Sequence, residues 1–175
     1  GKNLIRNFDA LGVLGAICES DAGTRQSFSQ QYPKVEMVES LEKVLDDASI
    51  EGVAIASPAE MHYRMVKEAL LKGKHVFVEK PIALHKNEGQ ELQELAGSRQ
   101  RVLMVGHLLQ YHAAVVKLKQ LVSEGELGKI QYIYSNRLNL GKIRQEENIL
   151  WSFAPHDISV ILSLTGEMPE RVTSV

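Results

Sequence analysis

HVFVEKPIAL, residues 75–84, joins a strand directly to a pair of charges. His75-Val76-Phe77-Val78 is a run of apolar or strand-favouring residues, the pattern of a strand covered on both faces. It passes without a spacer into Glu79-Lys80, and Pro81 holds the lysine to extended backbone. A lysine fixed at the end of a buried strand calls for a chemical reason.

Outward from this stretch the chain alternates. Leu4, Ile5, Phe8 and Leu11 recur at helical spacing over residues 3–11, with Gly12 as the C-cap. A short apolar run, Val13 to Cys18, predicts a central strand that ends at Glu19-Ser20-Asp21, and a polar helix follows over residues 22–31. Val35 to Val38 predicts a weak strand. Ser40 caps a helix reaching about Asp47, and Gly52 to Ala56 is another buried strand. Helix 60–72 ends at Gly73, and beyond the opening stretch come a helix near 87–97 and a strand from Val102 to Val105. Strand and helix taking turns argue an α/β fold of Rossmann type, a parallel sheet with helices on both faces, over residues 1–106.

After Gly106 the rhythm changes. A helix is predicted over about 111–124, ending at Gly125. Lys129 to Asn139 then alternates Ile130, Tyr132 and Tyr134 with Gln131, Ile133 and Ser135, the two-residue period of a sheet with one exposed face. A helix near 153–165 capped by Gly166, and a strand from Arg171, complete residues 107–175. These read as the opening of a second α/β domain with an open, mostly antiparallel sheet.

Composition bounds the function. At 175 residues, 44% hydrophobic and 24% charged, the chain has the make-up of a soluble globular protein. A net charge of −2 with no basic stripe offers no footprint for nucleic acid or an anionic membrane. Cys18 is the one cysteine, so an intrachain disulfide is impossible and a reducing cytoplasm is the expected location. No apolar run reaches the ~20 residues of a membrane span. The histidines and Cys18 show no metal-ligand spacing, and no metal is expected.

In an open parallel sheet, ligands bind beyond the carboxyl ends of the strands. Three predicted strands end in groups suited to that place: Glu19, Ser57-Pro58, and Glu79-Lys80-Pro81. Gly1 precedes an apolar helix, and Glu19 follows about twenty residues on, the positions of the last glycine of a dinucleotide turn and of the acid that binds the adenosine ribose. On that reading the first strand and the earlier glycines of the turn are absent from the chain. A glycine left by cloning is the alternative. A carboxylate at 19 accepts hydrogen bonds from a ribose diol and repels a 2′-phosphate, so NAD is expected over NADP.

Glu79-Lys80-Pro81 after an apolar strand, together with Ala56-Ser57-Pro58, His62 and the late pair His156-Asp157, resembles the Gfo/Idh/MocA family of sugar and polyol dehydrogenases. The resemblance spans essentially the whole chain. It implies an NAD(P)-binding domain followed by part of a substrate and oligomerisation domain, and a homo-oligomer for the full-length protein. It also implies cofactor contacts from Gly1, Glu19, Ser57, Pro58, His62, Glu79 and Lys80. Lys80 would hold the reacting hydroxyl and stabilise the alkoxide as hydride leaves, and His156 would take the hydroxyl proton.

One position departs from that family's pattern. An aspartate commonly stands four residues before the histidine, and here the residue is Ser152. Leu150 to Asp157 (LWSFAPHD) resembles the branch acting on nucleotide-linked 2-acetamido sugars, which oxidises the C3 hydroxyl. Arg137 and Asn139 would then face the sugar or its phosphates, or else lie on a solvated sheet face. Tyr111 either touches substrate or packs at the domain junction. A myo-inositol or free-sugar dehydrogenase is the alternative enzyme, and a non-catalytic NAD-binding sensor the alternative from another class.

Overall fold

The computed structural model describes residues 1–138 and 149–173. It divides into two compact units, Gly1–Gly106 and His107–Val175.

The first unit alternates helix and strand: α1 Lys2–Ala10, β1 Ala16–Cys18, α2 Ala22–Gln31, β2 Glu36–Val38, α3 Leu41–Asp46, β3 Gly52–Ile55, α4 Ala59–Leu71, β4 His75–Val78, α5 Lys86–Ser98 and β5 Leu103–Val105. All strand pairings are parallel, in two ladders ordered β1-β2 and β3-β4-β5. The expected parallel α/β arrangement is therefore present. Among the described residues β1 and β3 each carry one edge with no strand partner. The burial of β3 reflects this: Ala54 is exposed, whereas Val76 and Val78 of the central β4 are buried.

The core forms where helices lie on the three-stranded ladder. Val66, Ala69 and Leu70 of α4 recur at helical spacing and pack with Val76, Val78, Ile55, and with Leu92 and Ala96 of α5. Lys74, 5% exposed, is accommodated because its ammonium donates to the carbonyls of Asp47 at 2.6 Å and Ile50 at 2.7 Å. Gly12 follows α1 with φ +69°, a left-handed conformation that glycine adopts without steric cost.

The second unit contains a 3-10 turn at Leu108–Tyr111, then α6 Ala113–Ser123 and α7 Ile149–Thr165. His112 caps α6, its Nδ1 accepting from the Ala114 amide at 3.3 Å. Three sequence expectations change here. The strand expected from Lys129 is not formed over residues 129–138, because a ladder needs a neighbour and none is present among the described residues. No strand forms over residues 171–173 either. The late helix begins at Ile149 rather than near 153, which puts Pro155 inside it instead of in its first turn. Pro155 cannot donate to the carbonyl four residues earlier, a locally weaker helix.

Candidate active site

The carboxyl ends of β3 and β4 carry Ser57-Pro58 and Glu79-Lys80-Pro81 side by side. The ladder register, Ile55 opposite Val78, brings the two loops out together, and its last bond runs from the Glu79 amide to the Ile55 carbonyl at 2.9 Å. The Lys80–Pro81 bond is cis. Glu79 and Lys80 are half-buried. The Glu79 carboxylate leans across the end of β5: a β-carbon on Gly106 would lie 3.1 Å from its Oε2 and 3.1 Å from the Phe77 ring. Glycine at 106 lets the acid lie against bare backbone, a requirement the sequence did not advertise.

His62, in the first turns of α4, is 1% exposed. Its Nδ1 stands 2.6 Å from the Pro81 carbonyl and its Nε2 2.9 Å from the Ser57 carbonyl. The histidine thus ties the two loops together from beneath. The Ser57 hydroxyl stays local, 3.5 Å from the Pro58 carbonyl, and Pro58 is the exposed N-cap of α4.

Gly1 lies at the amino end of α1, and a β-carbon there would meet the Ala56 side chain at 4.0 Å. The helix's amino end therefore sits beside the end of β3. The first helical bond is Ile5 N–H to the Gly1 carbonyl, and Gly1 brings no capping side chain. The first-turn amides and the helix dipole together suit an anion at this place.

Glu19 leaves the end of β1 half-buried. Its amide donates to the Val38 carbonyl at 3.0 Å, and its Oε1 accepts from the Asp21 amide at 3.0 Å. Arg25 fixes this turn from α2: its Nη1 donates to the carbonyls of Glu19 at 2.7 Å and Ser20 at 3.1 Å. Asp21 caps α2 by accepting from the Thr24 amide at 2.7 Å, and hydrogen bonding from the Thr24 side chain, with this amide bond, holds its carboxyl below the ordinary range. Arg25 is a residue that sequence reasoning missed; its signal was a lone arginine in the first turns of a polar helix.

These observations fit a dinucleotide: a helix amino end suited to an anion, a carboxylate in a fixed turn at a strand end, and two loops beyond adjacent strand ends. The sequence-predicted residues Ser57, Pro58, His62, Glu79 and Lys80 come together, with Gly1 beside them through Ala56.

In the second unit, His156 is half-buried on α7. Tyr111 is 69% exposed in the 3-10 turn. Arg137 grips Asp157 in a two-point contact, Nε to Oδ2 at 2.9 Å and Nη2 to Oδ1 at 3.0 Å. Those bonds hold the Asp157 carboxyl below its usual range against the opposing effect of burial, and raise Arg137 in turn. Asn139 lies outside the described residues. An open cleft of about 380 Å³ at the ends of α6 and α7, lined by Lys119, Gln120 and Thr165 among others, contains none of the candidate residues. His75 is structural, its Nδ1 accepting from the Val102 amide at 3.0 Å. Among the described residues no group of three metal-ligating side chains occurs, and no helix is long and apolar enough to cross a membrane.

Residues 2–107 match the model of the Gfo/Idh/MocA oxidoreductase family with its NAD-binding Rossmann fold. The chain is 35% identical over 169 residues to the uncharacterized oxidoreductase YdgJ of Escherichia coli, covering 91% of this chain and 48% of that protein. It is 30% identical to the scyllo-inositol 2-dehydrogenase (NADP(+)) IolW of Bacillus subtilis, over 85% of this chain and 44% of the relative. Identity is also 30% to the UDP-N-acetylglucosamine 3-dehydrogenase of Acidithiobacillus ferrooxidans, over 73% and 40%. In fold the chain matches apo scyllo-inositol dehydrogenase from Lactobacillus casei with a TM-score of 0.74 at 23% identity, over 87% of this chain and 47% of that one. The chain belongs to the Gfo/Idh/MocA family of oxidoreductases, and it spans about half the length of the relatives it matches.

Proposed function

We propose that the full-length protein oxidises a secondary hydroxyl of a sugar with NAD as hydride acceptor, and that the hydroxyl is C3 of a nucleotide-linked 2-acetamido sugar. The observation that carries the reading is the bracketed Lys80, held between the last β3–β4 ladder bond and the His62–Pro81 contact, on the loop next to Ser57-Pro58. A charge fixed there before substrate arrives stabilises developing alkoxide without reorganisation.

Gly1 and the first-turn amides of α1 would hold the diphosphate, Glu19 the adenosine ribose, and Ser57, Pro58, Glu79 and Lys80 the nicotinamide half. The nicotinamide ring supplies the hydride-accepting carbon when bound. Lys80 orients the carbinol through its oxygen. His156 takes the hydroxyl proton, since imidazole changes charge near neutral pH. The lysine and histidine favour an enzyme over a sensor, which needs neither. The first unit then serves as the NAD-binding domain and the second as part of a substrate and oligomerisation domain, working in the cytoplasm.

A second reading, a free polyol as substrate, is favoured by one observation. The Arg137 guanidinium is committed to Asp157 rather than left for a phosphate. Incubating the full-length protein with NAD and either UDP-N-acetylglucosamine or inositols, and following NADH absorbance, separates the two. Turnover only with the inositols overturns the nucleotide-sugar assignment; turnover with neither, despite NAD binding, overturns the dehydrogenase.

A further inference from the structure

The buried ring of His62 faces two carbonyl oxygens, Pro81 at 2.6 Å from Nδ1 and Ser57 at 2.9 Å from Nε2. Both partners can only accept. A neutral imidazole has one N–H and one lone pair, so either tautomer would aim a lone pair at a carbonyl oxygen within hydrogen-bond distance. Turning the ring over would bring carbon atoms to both oxygens and leave both without a nitrogen donor. A ring protonated on both nitrogens satisfies the pair, donating to the Pro81 carbonyl at 2.6 Å and to the Ser57 carbonyl at 2.9 Å.

We infer that His62 is an imidazolium that straps the Lys80 loop to the Ser57-Pro58 loop, acting as a positioning residue for Lys80. The β3–β4 ladder bonds the Glu79 N–H to the Ile55 carbonyl, and beyond it the histidine links the two segments through Pro81 and Ser57. Lys80 lies between these ties. Burial of the ring, the amino end of α4 and the charge of Lys80 oppose a positive ring, while Glu60 in the first turn of α4 and Glu79 on the strapped loop favour it. The two donated bonds decide the balance, because a single N–H would leave one buried carbonyl facing a lone pair.

The link to catalysis rests on the dehydrogenase reading above; the proton count and the strap do not. Long-range proton–nitrogen NMR of the full-length protein at neutral pH, with the His62 signals assigned by their loss in His62→Gln, should find both ring nitrogens protonated. One bare nitrogen overturns the proposal. His62→Phe keeps a ring and removes both donors, so amide exchange over residues 79–83 should rise at least ~10-fold while α5 is unchanged, a local opening rather than a global one. Unchanged exchange in a folded variant overturns the strap. If the variant does not fold, the NMR proton count decides alone. In turnover, His62→Phe should lose at least ~10-fold in kcat with NADH affinity within ~3-fold, and His62→Gln, which keeps donors, should recover part of it. An inactive wild type with a doubly protonated His62 would sink the dehydrogenase reading and leave the strap standing.

Discussion

The two units use apolar residues in opposite ways. Every buried apolar residue among those described lies between Ile17 and Ala96, while in the second unit Tyr132 is 84% and Leu138 86% exposed. The difference is one of contact range. In the first unit, β3, α4, β4, α5 and β5 follow one another in sequence and pack on one another in space, so each helix finds its sheet face nearby. Residues 129–138 have the period of a half-covered strand, but such a strand is stabilised only by neighbours in a ladder.

The largest expected effect tests whether the chemistry divides unevenly between the units. Lys80→Met in the full-length protein should cut turnover by ~10²–10⁴-fold, the cost of losing a preorganised electrostatic or acid–base group. NAD affinity, measured by titration, should hardly move. His156→Asn should cost less and should flatten the rise of rate with pH that an imidazole base produces. A variant histidine enzyme with the wild-type pH profile would assign the proton to another group.

Next comes packing itself. Leu92 is fully buried between helices and sheet, so Leu92→Ala should lower unfolding free energy by about 2–5 kcal/mol in denaturant titration. Tyr132→Ala in the 175-residue chain should change it by less than about 0.5 kcal/mol, as exposed positions do. The same pair in the full-length protein sharpens the contrast. A tyrosine cost that rises to the leucine's would mean that the face is covered there.

Legibility in the sequence follows the same division. β4 and α2 fell where the apolar run and the polar stretch predicted them, and Lys80, Ser57 and Glu19 were singled out because in a parallel sheet ligands bind beyond the carboxyl ends of the strands. What escaped the sequence depends on contacts across loops. Two carbonyls converging on His62, the Arg25 clamp on the Glu19 turn, and the need for a bare Gly106 beside Glu79 leave no periodic trace. The engagement of Arg137 by Asp157, twenty residues apart, escaped for the same reason.

Glu19 gives a smaller, first-unit test. Its carboxylate repels a 2′-phosphate, and Arg25 already stands at the same turn. Glu19→Ser in the full-length protein should shift the ratio of NADP to NAD affinity by about tenfold towards NADP, roughly 1.4 kcal/mol. A wild type that already prefers NADP would show that Glu19 does not meet the ribose.

The smallest effect belongs to the Arg137–Asp157 pair, whose side chains are 40% and 24% exposed. Two parallel bonds place it near the top of the range for accessible ion pairs, about 0.2–1 kcal/mol, and salt should weaken it. The sign with pH follows from the carboxylate. Asp157 is held below its unfolded value of about 3.9, so the pair's contribution is complete above that pH and fades as pH falls through the lower folded value. Asp157→Asn should therefore be less stable than wild type at pH 7, with the gap closing in strong acid. The same substitution frees the Arg137 guanidinium, which gives the comparison its functional edge. If Arg137 also serves a substrate phosphate, UDP should bind Asp157→Asn more tightly than wild type in calorimetry. Unchanged UDP binding with a measurable loss of stability would make Arg137 a structural clasp between the segment before residue 138 and α7, and would count for the uncharged polyol as substrate.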